Sequence, residues 1–308
     1  MEYERKIDNA ISLLRSIPQD GPIELCYSGG KDSDIILELA KMAGIPFEAI
    51  YKQTTIDPPG TIAHAKSVGA TIVRPKYTFF ELVERKGIPS RFKRFCCKFL
   101  KEYKIYDRAV QGIRRCESVK RQMLYKEPEV CRVYGRNDKA RIYYPILEWT
   151  DEDVERFVAE RGIKCHNLYY DDDGKFRVER RLGCLGCPMS RAGMREEFLR
   201  YPRMLELWLR ALRRYRETHP NTRTVRVFKN EYDEMFNAIF CKSMEDYESR
   251  MTIPVFPVGT TERFEWLERY FKVDIHHIPK FPDGVHTLDT ELFLTDYFGI
   301  RNPKTQVK

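Results

Sequence analysis

Long apolar runs are missing from this sequence. Nowhere does it approach the ~18 consecutive apolar residues of a membrane span, and the opening Met-Glu-Tyr-Glu-Arg-Lys lacks the apolar stretch of a secretory signal. The expectation is a cytoplasmic protein with no membrane partner. Internal repeats and low-complexity linkers are absent too. So is the Gly-x-x-x-x-Gly-Lys-Ser/Thr spacing, which excludes a Walker phosphate loop. No cysteine follows Cys241 in the 308 residues. The nine cysteines present, in a reducing compartment, do not read as a disulfide framework. They require a metal, a redox or a packing explanation.

What is present is an ordinary globular composition, 42% hydrophobic and 32% charged. Lys plus Arg number 54 against 46 Asp plus Glu, a formal charge of +8 that suits a polyanionic ligand. From residue 23 to about 147 the pattern alternates strand and helix. Strands are expected at 23–27, 47–51, 70–74, 108–113 and 141–146, and helices at 34–43, 61–68, 79–86, 117–125 and 151–161, the last capped by Thr150. An amphipathic helix with Ile7, Ile11, Leu14 and Ile17 on one face precedes them. Such alternation predicts an α/β fold with an open, mostly parallel sheet and helices on both faces. Beyond 190 the texture becomes helical and Arg-rich over 192–218, with a second helix expected over 230–250. Pro254, Pro257, Pro279 and Pro282 interrupt the tail. The expected division is a nucleotide-binding domain over 1–190 and a mainly helical extension over 191–308.

The segment Ser28-Gly29-Gly30-Lys31-Asp32-Ser33 lies between a predicted strand and helix. Glycines let the backbone approach phosphate oxygens, and the amides and dipole of the helix start stabilise their charge. Lys31 adds a cation, and Ser28 and Ser33 add hydroxyls. A plain Gly-Gly turn is the alternative. The segment resembles the pyrophosphate loop of the adenine nucleotide α-hydrolase superfamily, which implies binding or cleavage at the α-phosphate, normally with Mg²⁺.

A second motif, Gly112-Ile113-Arg114-Arg115-Cys116-Glu117-Ser118-Val119-Lys120-Arg121, follows another predicted strand. Arg114 and Arg121 present planar forks suited to phosphate or sulfate, and Glu117 is placed to orient one of them. A solvated charged turn is the alternative. The pattern Gly-Ile-Arg-x-x-Glu-Ser-x-x-Arg, the stretch Pro145-Ile146-Leu147-Glu148-Trp149-Thr150-Asp151-Glu152-Asp153-Val154 and Asn167-Leu168-Tyr169 together resemble the phosphoadenosine-phosphosulfate (PAPS) reductase family over about residues 20–190. The resemblance places Thr54, in Thr54-Thr55-Ile56-Asp57-Pro58-Pro59, in a nucleotide-contacting loop. Ser28, Gly29, Gly30, Lys31, Asp32, Ser33, Thr54, Gly112, Arg114, Glu117, Ser118 and Arg121 are then the candidate nucleotide-binding residues. Among them Lys31, Asp32 and Arg114 are the candidate catalytic ones.

Cys96-Cys97 and Cys184-Leu185-Gly186-Cys187 form two tight thiol pairs, enough for a [4Fe–4S] cluster or a four-cysteine zinc site. Adjacent cysteines suit separated irons better than one zinc. The spacing is similar to that of the adenosine-phosphosulfate (APS) reductase branch, which implies iron–sulfur. Buried apolar cysteines or a redox Cys-x-x-Cys are the alternatives. Arg91, Lys93, Arg94 and Lys98 surround the first pair in sequence.

Reductases of the family use a nucleophilic cysteine in a C-terminal Glu-Cys-Gly-type motif and hand the product to thioredoxin. This chain has no such motif; Cys241 sits in Ile239-Phe240-Cys241-Lys242-Ser243. Members resembling the ATP pyrophosphatases of DNA phosphorothioation pair the nucleotide loop with cluster cysteines instead. That resemblance implies ATP-dependent adenylation for sulfur transfer, with a sulfur donor as partner. The alternatives are an APS/PAPS reductase making sulfite, and a non-catalytic nucleotide- or nucleic-acid-binding subunit. Ten arginines between Arg191 and Arg226, with Tyr201, Trp208 and Tyr215 interleaved, suit a nucleic-acid backbone. A solvated helix with Leu205, Leu209 and Leu212 inward is the alternative.

Overall fold

The computed structural model describes residues 2–90, 92–134, 138–251, 265 and 289–300, with backbone alone at 191 and 192. Arg91, the side chain of Arg191 and the four tail prolines lie outside the described residues. The chain forms two compact units: residues 1–76 with 96–184, and residues 77–95 with 185–308.

The first unit is built on a six-stranded sheet: β1 (Ile23–Tyr27), β2 (Glu48–Lys52), β3 (Thr71–Val73), β4 (Arg108–Val110), β5 (Glu129–Tyr134) and β6 (Asp138–Tyr143). Their order is β3-β2-β1-β4-β6-β5, with every pairing parallel except β5–β6. The expected α/β architecture with a mostly parallel sheet is therefore present. The order reverses between β1 and β4, which opens a crevice beyond their carboxyl ends.

Helix α1 (Glu2–Arg15) and α2 (Lys31–Ala43) pack together, and α2 also meets β1 and α7 (Asp151–Arg161). Ile35, Ile36 and Leu39 of α2 are fully buried against Leu14, Leu25 and Phe157 in the larger core. Each such side chain contributes about 1.5–3 kcal/mol relative to exposure. The opposite sheet face carries a smaller cluster of Ala109, Ala140, Ile142, Tyr144 and Leu147. Alternation along the strands explains the split: Val110 and Tyr143 join the first cluster, Ala109 and Ile142 the second. Helix α3 (Thr61–Ser67) follows β2, and α7 begins at a capping box between Thr150 and Asp153.

Three elements differ from expectation. The strand expected over 108–113 ends at Val110, because the chain turns at Gly112 against the start of α2. The helix expected over 117–125 is a 3₁₀ turn, Arg115–Glu117, and then α6 (Val119–Leu124), because Ser118 is extended and caps α6 by accepting from the Arg121 N–H at 3.2 Å. The strand expected over 141–146 spans Asp138–Tyr143 and pairs with the unforeseen edge strand β5, whose residues alternate between exposed and half-buried.

In the second unit α4 (Phe79–Lys86) packs on α9 (Pro202–Thr218), with Phe79 and Trp208 ring centres 5.0 Å apart. The helix expected over 192–218 breaks into α8 (Arg191–Arg200) and α9, because Pro202 lacks the N–H that would continue the first. The one expected over 230–250 is likewise α11 (Glu231–Phe240) and α12 (Met244–Met251), after the short α10 (Arg223–Val227). Phe236 and Phe240 of α11 meet Phe293 and Tyr297 of the helix Thr290–Phe298 edge to face. Among the described residues no helix is long and apolar enough to cross a membrane.

Candidate functional site

The site grows from the turn between β1 and α2. Gly29 has φ 76°, a left-handed conformation, and an added Cβ would stand 2.8 Å from Thr61 Cγ2. Glycine therefore satisfies both the turn and the close neighbour. Gly30 precedes α2 with no side chain capping it, which leaves the helix-start amides open to an acceptor. The Ser33 hydroxyl donates to Gly30 O at 2.7 Å, and the Gly30 N–H donates to Ser28 Oγ at 3.3 Å, which fixes the turn from both sides.

Lys31 is almost wholly buried. Its Nζ lies 3.6 Å from Asp32 Oδ2, donates to Arg180 O at 3.5 Å and sits 5.2 Å above the Tyr169 ring. Burial pushes its pKa down and Asp32 pushes back, while Arg114 and Arg181 add to the fall.

The second loop meets the first at Asp32. A Cβ on Gly112 would stand 2.7 Å from Asp32 O, so only glycine permits this approach without movement. Arg114, 1% exposed, donates through Nε to Asp32 Oδ1 at 2.7 Å and through Nη1 to Asp151 Oδ1 at 2.8 Å. Burial opposes its charge, but Asp32 and Asp151 outweigh burial and hold its pKa above the usual value. Arg114 is thus a clamp between the loop and the start of α7, rather than an open fork. Glu117 pairs with Arg121, and burial lowers the Arg121 pKa, with Arg181 and Arg114 adding repulsion.

Behind the loop, Asp34 accepts from the Tyr27 hydroxyl and lies 3.0 Å from His64 Nε2. His166 Nδ1 accepts from the Leu168 N–H at 3.1 Å, and its Nε2 lies 3.5 Å from Thr61 Oγ1. Burial, then His64, lowers the His166 pKa. This network fixes α2 and α3 against each other.

Thr54 is buried, and its hydroxyl donates to Asp57 Oδ1 at 2.6 Å. The Cys184 thiol donates to Thr54 Oγ1 at 3.6 Å. Cys97 lies on α5 (Phe95–Leu100). Burial works against the charge of Lys101, but Cys184, Asp57 and Cys97 outweigh it and raise its pKa, so Cys184 and Cys97 share one ammonium neighbour. Even so, Cys96, Cys97 and Cys184 do not form a group of three metal-holding side chains within this unit. Cys187 belongs to the second unit, half-buried. Lys101 is thus a common neighbour of two of the four expected ligands, and among the described residues no group of three or more metal-holding side chains is found.

A cleft of about 670 Å³ lies beside the second loop, lined by Arg115, Cys116, Gln122, Lys126, Leu147 and Trp149 among others. Cys116 there donates to Trp149 O at 3.2 Å and accepts from Arg114 at 3.1 Å. Burial raises its pKa despite Arg114, so it is held as a thiol.

Sequence reasoning missed Asp34, His64, Lys101, Asp151 and Arg181. Each is an ordinary charged residue whose partners are distant in the chain, so no local signal marks it. In the second unit Trp208 and Tyr215 are buried with Leu205, Leu209 and Leu212, so two of the three aromatics expected on the arginine surface point inward, while Tyr201 is half-buried with Arg200 5.6 Å over its ring. Arg213, Arg214 and Arg216 pair with Glu231, Glu84 and Glu234. Arg200, Arg203, Arg210, Arg223 and Arg226 are exposed. Cys241 is 0% exposed.

Comparison with known proteins places this geometry. A protein of Methanocaldococcus jannaschii, itself described as uncharacterized, is 32% identical over 210 residues, which are 63% of this chain and 48% of that protein. An uncharacterized protein of Escherichia phage 186 is 32% identical over 139 residues, 40% of this chain and 39% of that protein. The chain thus spans about half or less of the length of these curated relatives. Residues 22–190 match the phosphoadenosine phosphosulfate reductase domain, the same stretch that carries the sheet, both loops and all four paired cysteines. More than half of the chain is covered by that match, and the protein belongs to the phosphoadenosine phosphosulfate reductase family.

Proposed function

We propose that this chain is an ATP-using enzyme acting at the α-phosphate. An acceptor nucleophile bonds to the α-phosphorus, the bridging α–β oxygen bond breaks, and pyrophosphate leaves with the electron pair. The observation that carries this reading is the junction of the two loops at the sheet's reversal point, where Arg114 ties Asp32 to Asp151 beside the open start of α2. The helix-start amides and Lys31 offer the leaving pyrophosphate, bound as its Mg²⁺ complex, a fixed cationic cradle.

The sulfite-forming alternative needs an accessible nucleophilic thiol. Cys241, the last cysteine in the chain, is fully buried, which counts against it as that nucleophile and favours adenylation. We propose also that Cys96, Cys97, Cys184 and Cys187 hold a [4Fe–4S] cluster. Its support is the shared Lys101 neighbourhood of Cys97 and Cys184, and no step of the reaction is assigned to it. Nucleic acid as acceptor is supported by the exposed arginines at 203, 210, 223 and 226. With Trp208 and Tyr215 buried, such contact is to the phosphate backbone and does not involve stacking on those rings.

The test is anaerobic incubation with α-labelled ATP and Mg²⁺. AMP and pyrophosphate are expected, with water as the default acceptor. Thioredoxin-dependent sulfite release from a sulfonucleotide, with no AMP from ATP, would overturn the proposal.

A further inference from the structure

Arg181 stands apart from both recognised motifs, yet it joins them. Its neighbours in the chain lie against the first loop. Arg180 O accepts from Lys31 Nζ at 3.5 Å, and a Cβ on Gly29 would be 3.4 Å from Leu182 Cδ2. The Leu182 N–H donates to the Tyr169 hydroxyl at 3.3 Å, and that hydroxyl would lie 3.2 Å from a Cβ on Gly30. The guanidinium reaches the second loop, donating through Nη2 to Glu117 O at 3.0 Å.

Four cations therefore gather where the loops meet: Lys31 and Arg114 beside Asp32, and Arg121 and Arg181 beside Glu117. Their roles are not equivalent. Arg114 is buried between two carboxylates, and Arg121 is paired with Glu117. Arg181 donates to a main-chain carbonyl, which carries no full charge. It also opposes the charge of both Lys31 and Arg121. A like-charged cluster costs energy until a polyanion enters it. Exposure separates them as well: Lys31 is buried beside the loop glycines, whereas Arg181 is exposed.

We propose that Arg181 is the specificity-determining residue of this site, engaging the outermost phosphate of a nucleoside triphosphate so that ATP is bound in preference to nucleotides that end at the α-phosphate. The proposal rests on the ATP reading above. Arg180 and Leu182 hold Arg181 beside the turn that cradles the pyrophosphate, so its exposed fork can engage the terminal phosphate, a group that a monophosphate lacks.

The experiment is equilibrium binding of ATP, AMP and adenosine 3′,5′-bisphosphate to wild type, Arg181→Ala and Arg181→Lys. In Arg181→Ala, ATP affinity is expected to fall about tenfold or more, with AMP and the bisphosphate within about twofold. Arg181→Lys, which keeps the charge and loses the fork, is expected in between. Arg181 is exposed, so the melting temperature should hold. Equal losses for ATP and AMP would mean a structural role, a loss confined to the bisphosphate would place Arg181 at a 3′-phosphate, and no loss would remove it from the site; each overturns the proposal. If wild type itself binds AMP or the bisphosphate but not ATP, the ATP reading fails first and this inference with it.

Discussion

Gly112→Ala tests whether the two loops must touch. The added methyl would sit 2.7 Å from Asp32 O and 2.9 Å from Asp32 C, both main-chain atoms that cannot rotate away. Ordinary contact begins near 3.4 Å, so one loop must retreat by about 0.7 Å. Overpacking of this kind costs about 1–3 kcal/mol. In a unit of this size that lowers the melting temperature by roughly 2–4 °C per kcal/mol. The larger effect falls on the site. The Arg114–Asp32 bond of 2.7 Å stretches beyond good geometry, and displacement approaching 1 Å at a reacting centre costs up to about a hundredfold in rate. The assay pairs thermal melting with ATP titration and ATP turnover. Gly183→Ala is the control, because its Cβ would meet nothing within 4 Å. If Gly112→Ala matches wild type in melting, affinity and turnover, the loops are not held together as described, and the argument from their junction fails.

Three further outcomes are expected. Cys184→Ser should lose the iron and brown colour of anaerobically purified protein, and equal iron in mutant and wild type would defeat the cluster assignment. Burial raises the Glu234 pKa from 4.5 to about 7, against the pull of Arg216. The folded protein therefore holds a proton that the unfolded chain releases above 4.5, and stability falls as pH rises through that window, by on the order of 3 kcal/mol. Glu234→Gln should flatten the melting profile between pH 5 and 7 (roughly the window set by those two values), and an unchanged slope would refute the assignment. Charge reversal at Arg203 and Arg210 should weaken nucleic-acid binding and its salt dependence together; binding that is unaffected favours the solvated-face reading of α9.

Much of the fold was legible because its signals are local. Ile23–Tyr27, Phe79–Lys86 and Asp151–Arg161 end where the sequence predicts, since each is bounded by glycine or by a capping threonine. The place of the Gly29-Gly30 turn was legible for the same reason: it lies between β1 and α2, where the sequence puts it. Strand β5 was not legible, because its apolar residues fall on both faces: Val130 and Tyr134 are half-buried against the smaller cluster, whereas Cys131 and Val133 are exposed. The break at Tyr201–Pro202 was readable from proline chemistry, yet the leucine periodicity on either side masked it.

The sequence by itself determined the α/β class, the glycine turn between β1 and α2 and the family, because periodicity, glycine spacing and short motifs act over a few residues. Only the tertiary structure decided what each charge does. Arg114 and Arg181 are the same residue type, but one is locked between Asp32 and Asp151 and the other stands exposed across both loops. That difference is set by burial and by partners many residues away in the chain, Asp32 and Asp151 for one and Glu117 for the other, and no local pattern encodes it.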